Sequence, residues 1–534
     1  MIRRTKIIKW AFTVFAILQV GVLGYLMLWG MGEKTVKTAG TRSKNTELYS
    51  VKGTIYDFAM NPITNAQRCY YLLIDPRSFA RENISYIASL CNETPEDFQE
   101  KLEHESTFVL CADKRPDQTA GVYVFEGVHR YSDVANHLVG YVNGDMEGVS
   151  GLEKSYNSVL SYFGGTKTLR FAVDGKNNPL VGLGLAVEGE DQGSKNGVIT
   201  TLDLDIQKSL QQAMDKYVEK GAAVVLDIHS GEIRAMVSRP DFDTDHIAQY
   251  LTSGQGELVN RALRAQTVGS VFKIVVAAAA LEQKLDGYEC DCTGSITIGD
   301  RAFTCPVEGG HGKQNLESAF AESCNVYFIA LGQMLGTDTI MEITKRMGFG
   351  ESLEIASGLY VSGGTLPDVT GNSSKQLANL SIGQGDLSAS PVQIARLAAL
   401  CGNGGFLVSP ECFQGFYVDG NVQSEQWVEY GQRVISQEVA DCLQKLCVTT
   451  VETGTGKGAL PENGTAGGKT SSAQTGIFDQ EGKEVLNTYF AGFFPADSPK
   501  YAIAVFAEDG ISGGKTCAPV FKKVCEDILA LKKD

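Results

Sequence analysis

Residues 11–31, AFTVFAILQVGVLGYLMLWGM, form a run without a single charge, and Arg3, Arg4, Lys6 and Lys9 stand just before it. About 20 apolar residues suffice to cross a bilayer. A cleaved leader has a shorter apolar core and a small-residue cleavage site, and GEKTVKTAG after Met31 offers no good candidate. The expectation is an uncleaved transmembrane anchor at 11–31. Positive-inside bias then leaves residues 1–10 as a cytoplasmic tail and sends the remainder of the chain outside the cell membrane, which it crosses once.

A chain of 534 residues is too long for one ordinary core and implies two or three domains. With 63 Asp+Glu against 47 Lys+Arg, and no basic cluster beyond the first residues, it has no electrostatic footprint for nucleic acid. A peptide or other small ligand suits it better. Thirteen cysteines are too scattered and too odd in number for a disulfide framework, so most read as small buried hydrophobes. Cys292 and Cys305 bracket a hairpin-like segment, CTGSITIGDRAFTC, turning at Gly299-Asp300, and are placed to pair. No C-x-x-C occurs and the six histidines show no ligand spacing, which argues against zinc and leaves the metal prediction at none.

From about Thr41 to Lys195, short strand patterns alternate with Gly, Asn and Asp turns, and no catalytic constellation is evident. A shift follows near Gly197. A short strand leads to an amphipathic helix from about Asp205, then a β-run turning at His229-Ser230-Gly231 and returning through EIRAMVS. Next comes TVGSVFKIVVAAAALE, Thr267 to Glu282, in which Lys273 stands in an otherwise apolar run. Burying an ammonium is costly, so such a lysine acquires a partner or a shifted pKa. Three residues apart on a helix, Ser270 and Lys273 share a face, which sets a nucleophile beside a base. A helix is expected from near Pro391, after the Gly-rich SIGQGDLSAS; that loop lacks the lysine of a phosphate-binding loop.

Two more short patterns follow: Ser323-Cys324-Asn325, and Lys469-Thr470-Ser471 ahead of the aromatic strand TYFAGFFPAD. Each alone is weak, and a Ser-x-Asn is more often a cap or surface pair. Together and in this order they match the S-x-x-K, S-D-N and K-T-G signature of serine β-lactamases and penicillin-binding proteins. The chain resembles a class B penicillin-binding protein, a membrane-anchored peptidoglycan transpeptidase. The likeness extends through KGTIYD, GVSGLEKSY, TTLDLDIQ, GEIRAMVSRPDFD, GHGKQNLESAFAESCNVYF, SIGQGDLSASPVQIARLAALCGNGG, VETGTGKGAL and TYFAGFFPADSPKYAIAVFA.

That resemblance implies an α+β chain: the anchor, a β-rich elongated pedestal over 32–195, and a transpeptidase domain over 196–534 with a five-stranded antiparallel sheet covered by helices. It implies D,D-transpeptidation of stem peptides through a serine acyl-enzyme and sensitivity to β-lactams, with no cofactor. Ser270 would be the nucleophile and Lys273 its base, neutral by burial near a second cation. Ser323 would relay a proton to the leaving D-alanine, and Asn325 would hold Lys273 and the substrate. Lys469 would supply the field around them. Thr470 and Ser471 would meet the substrate carboxylate through side chain and backbone respectively, and the N–H groups of Ser270 and Ser472 would hold the oxyanion. Gly383, Gln384 and Gly385 would shape a cleft wall, and Cys324 would turn away from substrate. The partners implied are a polytopic membrane glycosyltransferase and cell-wall assembly proteins.

Departures from the family pattern are Ser471 in place of glycine, and Lys52-Gly53 and Asp57-Phe58 where Arg-Gly and Asp-Arg are usual. Strand alternation with Thr470 toward substrate would turn Ser471 to a helix behind the sheet. The rival functions are a β-lactamase, a catalytically weak scaffold for a cell-wall polymerase, and a penicillin-sensing receptor.

Overall fold

The computed structural model describes residues 42–174, 180, 184–189, 195–368, 373–424, 431–478, 481–482 and 484–531. The anchor expected at 11–31 lies outside them. Among the described residues no helix is long and apolar enough to cross a membrane.

The chain divides into two compact units, and the segment 32–195 contributes to both. The smaller comprises residues up to Tyr49, Tyr71–Phe125 and Lys167–Gly189. It is rich in strands, with a buried cluster of Leu73, Leu169, Phe171 and Val173. Its helix Pro95–His104 starts with proline in the first turn and is capped by Thr94, whose side chain accepts from the Asp97 N–H.

The larger unit comprises Ser50–Tyr70, Glu126–Thr166 and Glu190–Asp534. At its centre is a five-stranded sheet whose strands we label β1 (Gly221–Asp227), β2 (Ile233–Arg239), β3 (Gly467–Phe478), β4 (Glu484–Phe494) and β5 (Tyr501–Ala507). The spatial order is β2-β1-β5-β4-β3, and every neighbouring pair is antiparallel. The β1–β2 hairpin turns where the sequence places His229-Ser230-Gly231, with Gly231 at φ +81°. Strand β3 is therefore an edge, one of whose sides is free to line a cleft.

Helices cover both faces. Helix α1 (Leu204–Tyr217) begins where Asp203 accepts from the Asp205 and Ile206 N–H groups. It joins α6 (Ala518–Leu531) in a cluster with Ala223, Val225, Phe490, Phe494, Ile503 and Val505. The opposite face presents Ala222, Val224, Leu226, Tyr489, Ala491 and Phe493 to α2 (Lys273–Glu282), α4 (Pro391–Gly402) and α5 (Gln437–Glu452). The period-2 pleat puts neighbouring residues on opposite sides, so this double-faced burial makes the strands almost continuously apolar. Ser390 and Gln393 form a capping box at the start of α4, the start that Pro391 signals in sequence.

One expectation is refined at the key helix. Ser270 does not lie in α2 but in a 3₁₀ turn, Gly269–Phe272, that feeds it. In a 3₁₀ turn side chains three apart eclipse, so Ser270 and Lys273 still share a face.

Pedestal-like sequence in the larger unit explains two departures. Lys52 is buried with Glu153, its Nζ 3.8 Å from the carboxylate, and also donates to Asn157. Arg130 bonds the same carboxylate at 2.7 Å and 2.8 Å. Asp57 accepts from the N–H groups of Ala59 and Asn61, and Phe58 lies under the Arg234 guanidinium at 5.2 Å.

Candidate active site

Three elements converge on Lys273. Its side chain is fully buried at the start of α2, and Nζ donates to the Ser323 carbonyl at 2.7 Å, to Ser323 Oγ at 3.3 Å and to Asn325 Oδ1 at 2.8 Å. All three acceptors are uncharged. Burial lowers its pKa from 10.5 to about 8, against a smaller upward pull from Cys324 and Cys305. A lysine so placed has a substantial neutral fraction near physiological pH.

Ser323 occupies a left-handed backbone position, φ +59°, just before α3 (Asn325–Leu335). Such a conformation is uncommon for a residue bearing Cβ, and it aims both the carbonyl and the hydroxyl of Ser323 at the lysine. Asn325 is held from its other end, because Nδ2 donates to the Thr304 carbonyl at 3.0 Å. Thr304 belongs to the hairpin Ser295–Ile298/Arg301–Thr304, whose turn Gly299 has φ +63°. Sequence reasoning found the hairpin but not this role. Cys324, fully buried, caps α3 by accepting from the Tyr327 N–H.

Lys469 is equally buried on β3, its Nζ 3.2 Å from the Thr470 carbonyl and 5.6 Å from the centre of the Phe320 ring. Burial, and then the Lys273 cation, push its pKa well down. Two ammonium groups in one dry pocket oppose each other's charging, which favours one protonated and one neutral lysine.

The facing of β3 differs from the expectation. Alternation holds, but Ser471 shares a side with Lys469, toward α2, and Thr470 takes the other. Register shows this: Lys469 and Ser471 stand opposite Ala491 and Tyr489 of the α2-side core, whereas Thr470 stands opposite Phe490 of the α1-side core. Alternation fixes parity and not which parity faces the cleft. Ser471 Oγ donates to the Val268 carbonyl at 2.8 Å, tying β3 to the turn that bears Ser270. Gly269 is there at φ +61°, and a Cβ on it would lie 2.4 Å from Ser471 Oγ. Thr470 Oγ1 is 2.6 Å from Thr455 Oγ1, in the VETGTGKG stretch, and Thr455 Oγ1 donates in turn to the Ala321 carbonyl at 3.2 Å, two residues before Ser323. Ser472 is the exposed hydroxyl of this run. Thr455 was missed by sequence reasoning; a lone threonine among glycines gives no signal.

Gly383 closes the nucleophile turn: its carbonyl accepts from the Gly269 N–H at 2.9 Å, and its own Cβ would lie 2.0 Å from the Gly269 carbonyl oxygen. The cysteines and histidines show no metal-motif spacing in sequence, yet the fold gathers four of them. Cys292, Cys305, His311 and Cys324 come together, their ligand atoms all within 4.8 Å of one another. The hairpin-flanking pair Cys292 and Cys305 are free thiols here.

A serine on a tight turn, a buried lysine of lowered pKa and a second hydroxyl on that lysine define a serine acyl-transferring enzyme of the Ser-Lys kind. Residues 221–526 match the penicillin binding protein transpeptidase domain, and the chain belongs to that family. It is 30% identical to penicillin-binding protein PbpB of Mycolicibacterium smegmatis over 85% of this chain and 74% of that protein. It is 28% identical to stage V sporulation protein D of Bacillus subtilis over 88% of this chain and 73% of that protein. Among solved structures, the penicillin-binding protein PBP2 of Helicobacter pylori, in complex with MreC, superposes with a TM-score of 0.65 at 21% identity, covering 92% of this chain and 99% of that one.

Proposed function

We propose that the chain is a penicillin-sensitive peptidoglycan D,D-transpeptidase. The observation that carries this reading is Lys273, buried, of lowered pKa, and bonded to Ser323 and Asn325 at the head of the helix that Ser270 leads into. Ser270 Oγ attacks the carbonyl between the two terminal D-alanines of a stem peptide, with its proton passing to neutral Lys273. The C–N bond breaks, and the proton travels by Ser323 Oγ to the departing D-alanine amine. An acceptor stem-peptide amine then attacks the ester, forming the cross-link and returning the proton to Ser270. The N–H groups of Ser270 and Ser472 hold the oxyanion. The substrate carboxylate is met by Thr470 and by the exposed Ser472 hydroxyl, which share one side of β3. A β-lactam takes the same path and stops at the acyl-enzyme.

The reading includes the anchor at 11–31 with the catalytic part outside the cell, supported by the uncharged run and the cations before it. The pedestal 32–195 and the transpeptidase segment 196–534 divide docking from chemistry. Glycan strands come from a separate polytopic glycosyltransferase. The Helicobacter relative was solved with MreC, so an assembly protein of that kind is a second partner. The test supplies a stem-peptide donor ending in D-Ala-D-Ala and an acceptor amine. D-alanine release with a cross-linked product, both lost in Ser270→Ala, is expected. Penicillin labelling without D-alanine release would favour the scaffold instead, and rapid multiple-turnover penicillin hydrolysis would favour the β-lactamase.

A further inference from the structure

Four side chains beside the S-x-N motif have no role in the chemistry above. Cys292 ends the strand Cys290–Cys292, Cys305 follows the strand Arg301–Thr304, His311 precedes the strand Gly312–Gln314, and Cys324 caps α3. The pairings of Cys290–Cys292 with Gly312–Gln314, and of Ser295–Ile298 with Arg301–Thr304, bring residues distant in sequence to one point. The three cysteines are buried and His311 is partly so.

We propose that Cys292, Cys305, His311 and Cys324 bind one zinc ion in a closed tetrahedral Cys₃His site that holds the Ser323–Asn325 segment in its catalytic geometry. With Zn–S about 2.3 Å and Zn–N about 2.0–2.1 Å, a tetrahedron sets sulfurs about 3.8 Å apart and sulfur and nitrogen about 3.6 Å apart. Here Cys305 and Cys324 sulfurs are 3.7 Å apart, and His311 Nδ1 is 3.3 Å from Cys305 Sγ and 3.6 Å from Cys292 Sγ. A disulfide needs about 2.05 Å between sulfurs, so the spacing between Cys305 and Cys324 suits a shared ion and not a bond.

The surroundings suit thiolates. The Asn325 N–H points at Cys305 Sγ at 3.2 Å, and the Tyr327 N–H at Cys324 Sγ at 3.5 Å. Hydrogen bonds of this kind, at the positive end of α3, stabilise negative sulfur and orient metal ligands. Four protein ligands leave no open position, so the ion is structural: three thiols release their protons as it binds, and no redox change occurs. Thiolate sulfur with one imidazole in a tetrahedron selects zinc among the divalent ions. Cys324 lies between two residues bonded to Lys273, one of them at a left-handed φ, and a staple at that point keeps the loop from relaxing. Ser323 and Asn325 are thus positioned through the ion.

Zinc content is read without any activity, so it stands or falls apart from transpeptidation. The full-length chain, purified in detergent with reductant, is incubated with zinc sulfate, desalted and analysed for metal. About one zinc per chain is expected. Substituting cobalt(II) should give the intense near-ultraviolet thiolate-to-cobalt band and visible bands of tetrahedral cobalt. Cys305→Ser and His311→Ala should lose the metal, and Cys442→Ser, an exposed cysteine elsewhere, should keep it. Wild-type protein that holds no zinc after desalting, or gives octahedral cobalt without the thiolate band, overturns the proposal, and neither result depends on a variant folding. Zinc retained in Cys305→Ser overturns it as well.

Discussion

Ser471 stands where the family has glycine, and its hydroxyl is used in the structure: Oγ donates to the buried Val268 carbonyl at 2.8 Å. Removing it in Ser471→Ala deletes one buried hydrogen bond and strips an acceptor, a cost of about 1–3 kcal/mol. Ser471→Gly adds the backbone freedom of glycine inside a strand, about 0.5–1 kcal/mol more. Both variants should therefore melt earlier than the parent, the glycine form earlier still, as followed by circular dichroism with penicillin-labelling capacity as a second probe. Because the hydroxyl is directed at Val268 and is almost wholly buried, it does not crowd a ligand, and its loss should not speed acylation. Stopped-flow or quenched labelling with fluorescent penicillin gives the rate, which should stay level or fall as the Val268–Gly269 lead into Ser270 loosens. A glycine variant that acylates tenfold faster, worth about 1.4 kcal/mol of barrier, would show that the serine obstructs the cleft and that its hydroxyl is not held on Val268. Unchanged melting in both variants would refute the hydrogen bond.

Acylation should depend on pH through Lys273. Burial lowers its pKa to about 8, and the neutral form is the base, so the rate rises with pH toward about 8 and levels above it. A penicillin acylation rate that is flat from pH 6 to pH 9, roughly the window over which such a lysine titrates, would contradict this. Gly269→Ala should abolish labelling while leaving soluble protein, since its Cβ would meet Ser471 Oγ at 2.4 Å and Ala473 Cβ at 2.9 Å at a backbone angle disfavouring Cβ. Labelling at the parent rate would exclude so tight a turn. Glu153→Gln leaves buried Lys52 and Arg130 without their shared anion and should destabilise by about 3–5 kcal/mol in chemical denaturation. A loss below about 1 kcal/mol would mean that water reaches the pair.

The site was legible in outline because its chemistry demands particular residue types. A lysine inside an apolar run has few explanations, and three motifs in order have fewer. The helix starts near Asp205 and Pro391 and the turn at Gly299 were legible for a local reason, since each answers a backbone need within a few residues; the caps themselves, Asp203 and Ser390 with Gln393, are seen only in the fold. What failed was long-range. Alternation on β3 gave Thr470 and Ser471 opposite sides but assigned the sides wrongly, since only the packing of Lys469 against the α2 side decides between them. The beginning of the nucleophile helix was misplaced because Val268 to Phe272 carries no capping side chain to mark the change from 3₁₀ to α geometry. Cys292, Cys305, His311 and Cys324 have no local spacing of a metal motif; two separate strand pairings assemble them.

The most direct measurement of the central claim is mass spectrometry of the full-length chain after reaction with a penicillin, followed by peptide mapping. One adduct of the intact drug's mass, confined to Ser270 and absent in Ser270→Ala, is the result expected of a serine poised by Lys273 at a transpeptidase site. An adduct on another residue, or full labelling of Ser270→Ala, would contradict the assignment of the nucleophile and the mechanism built on it.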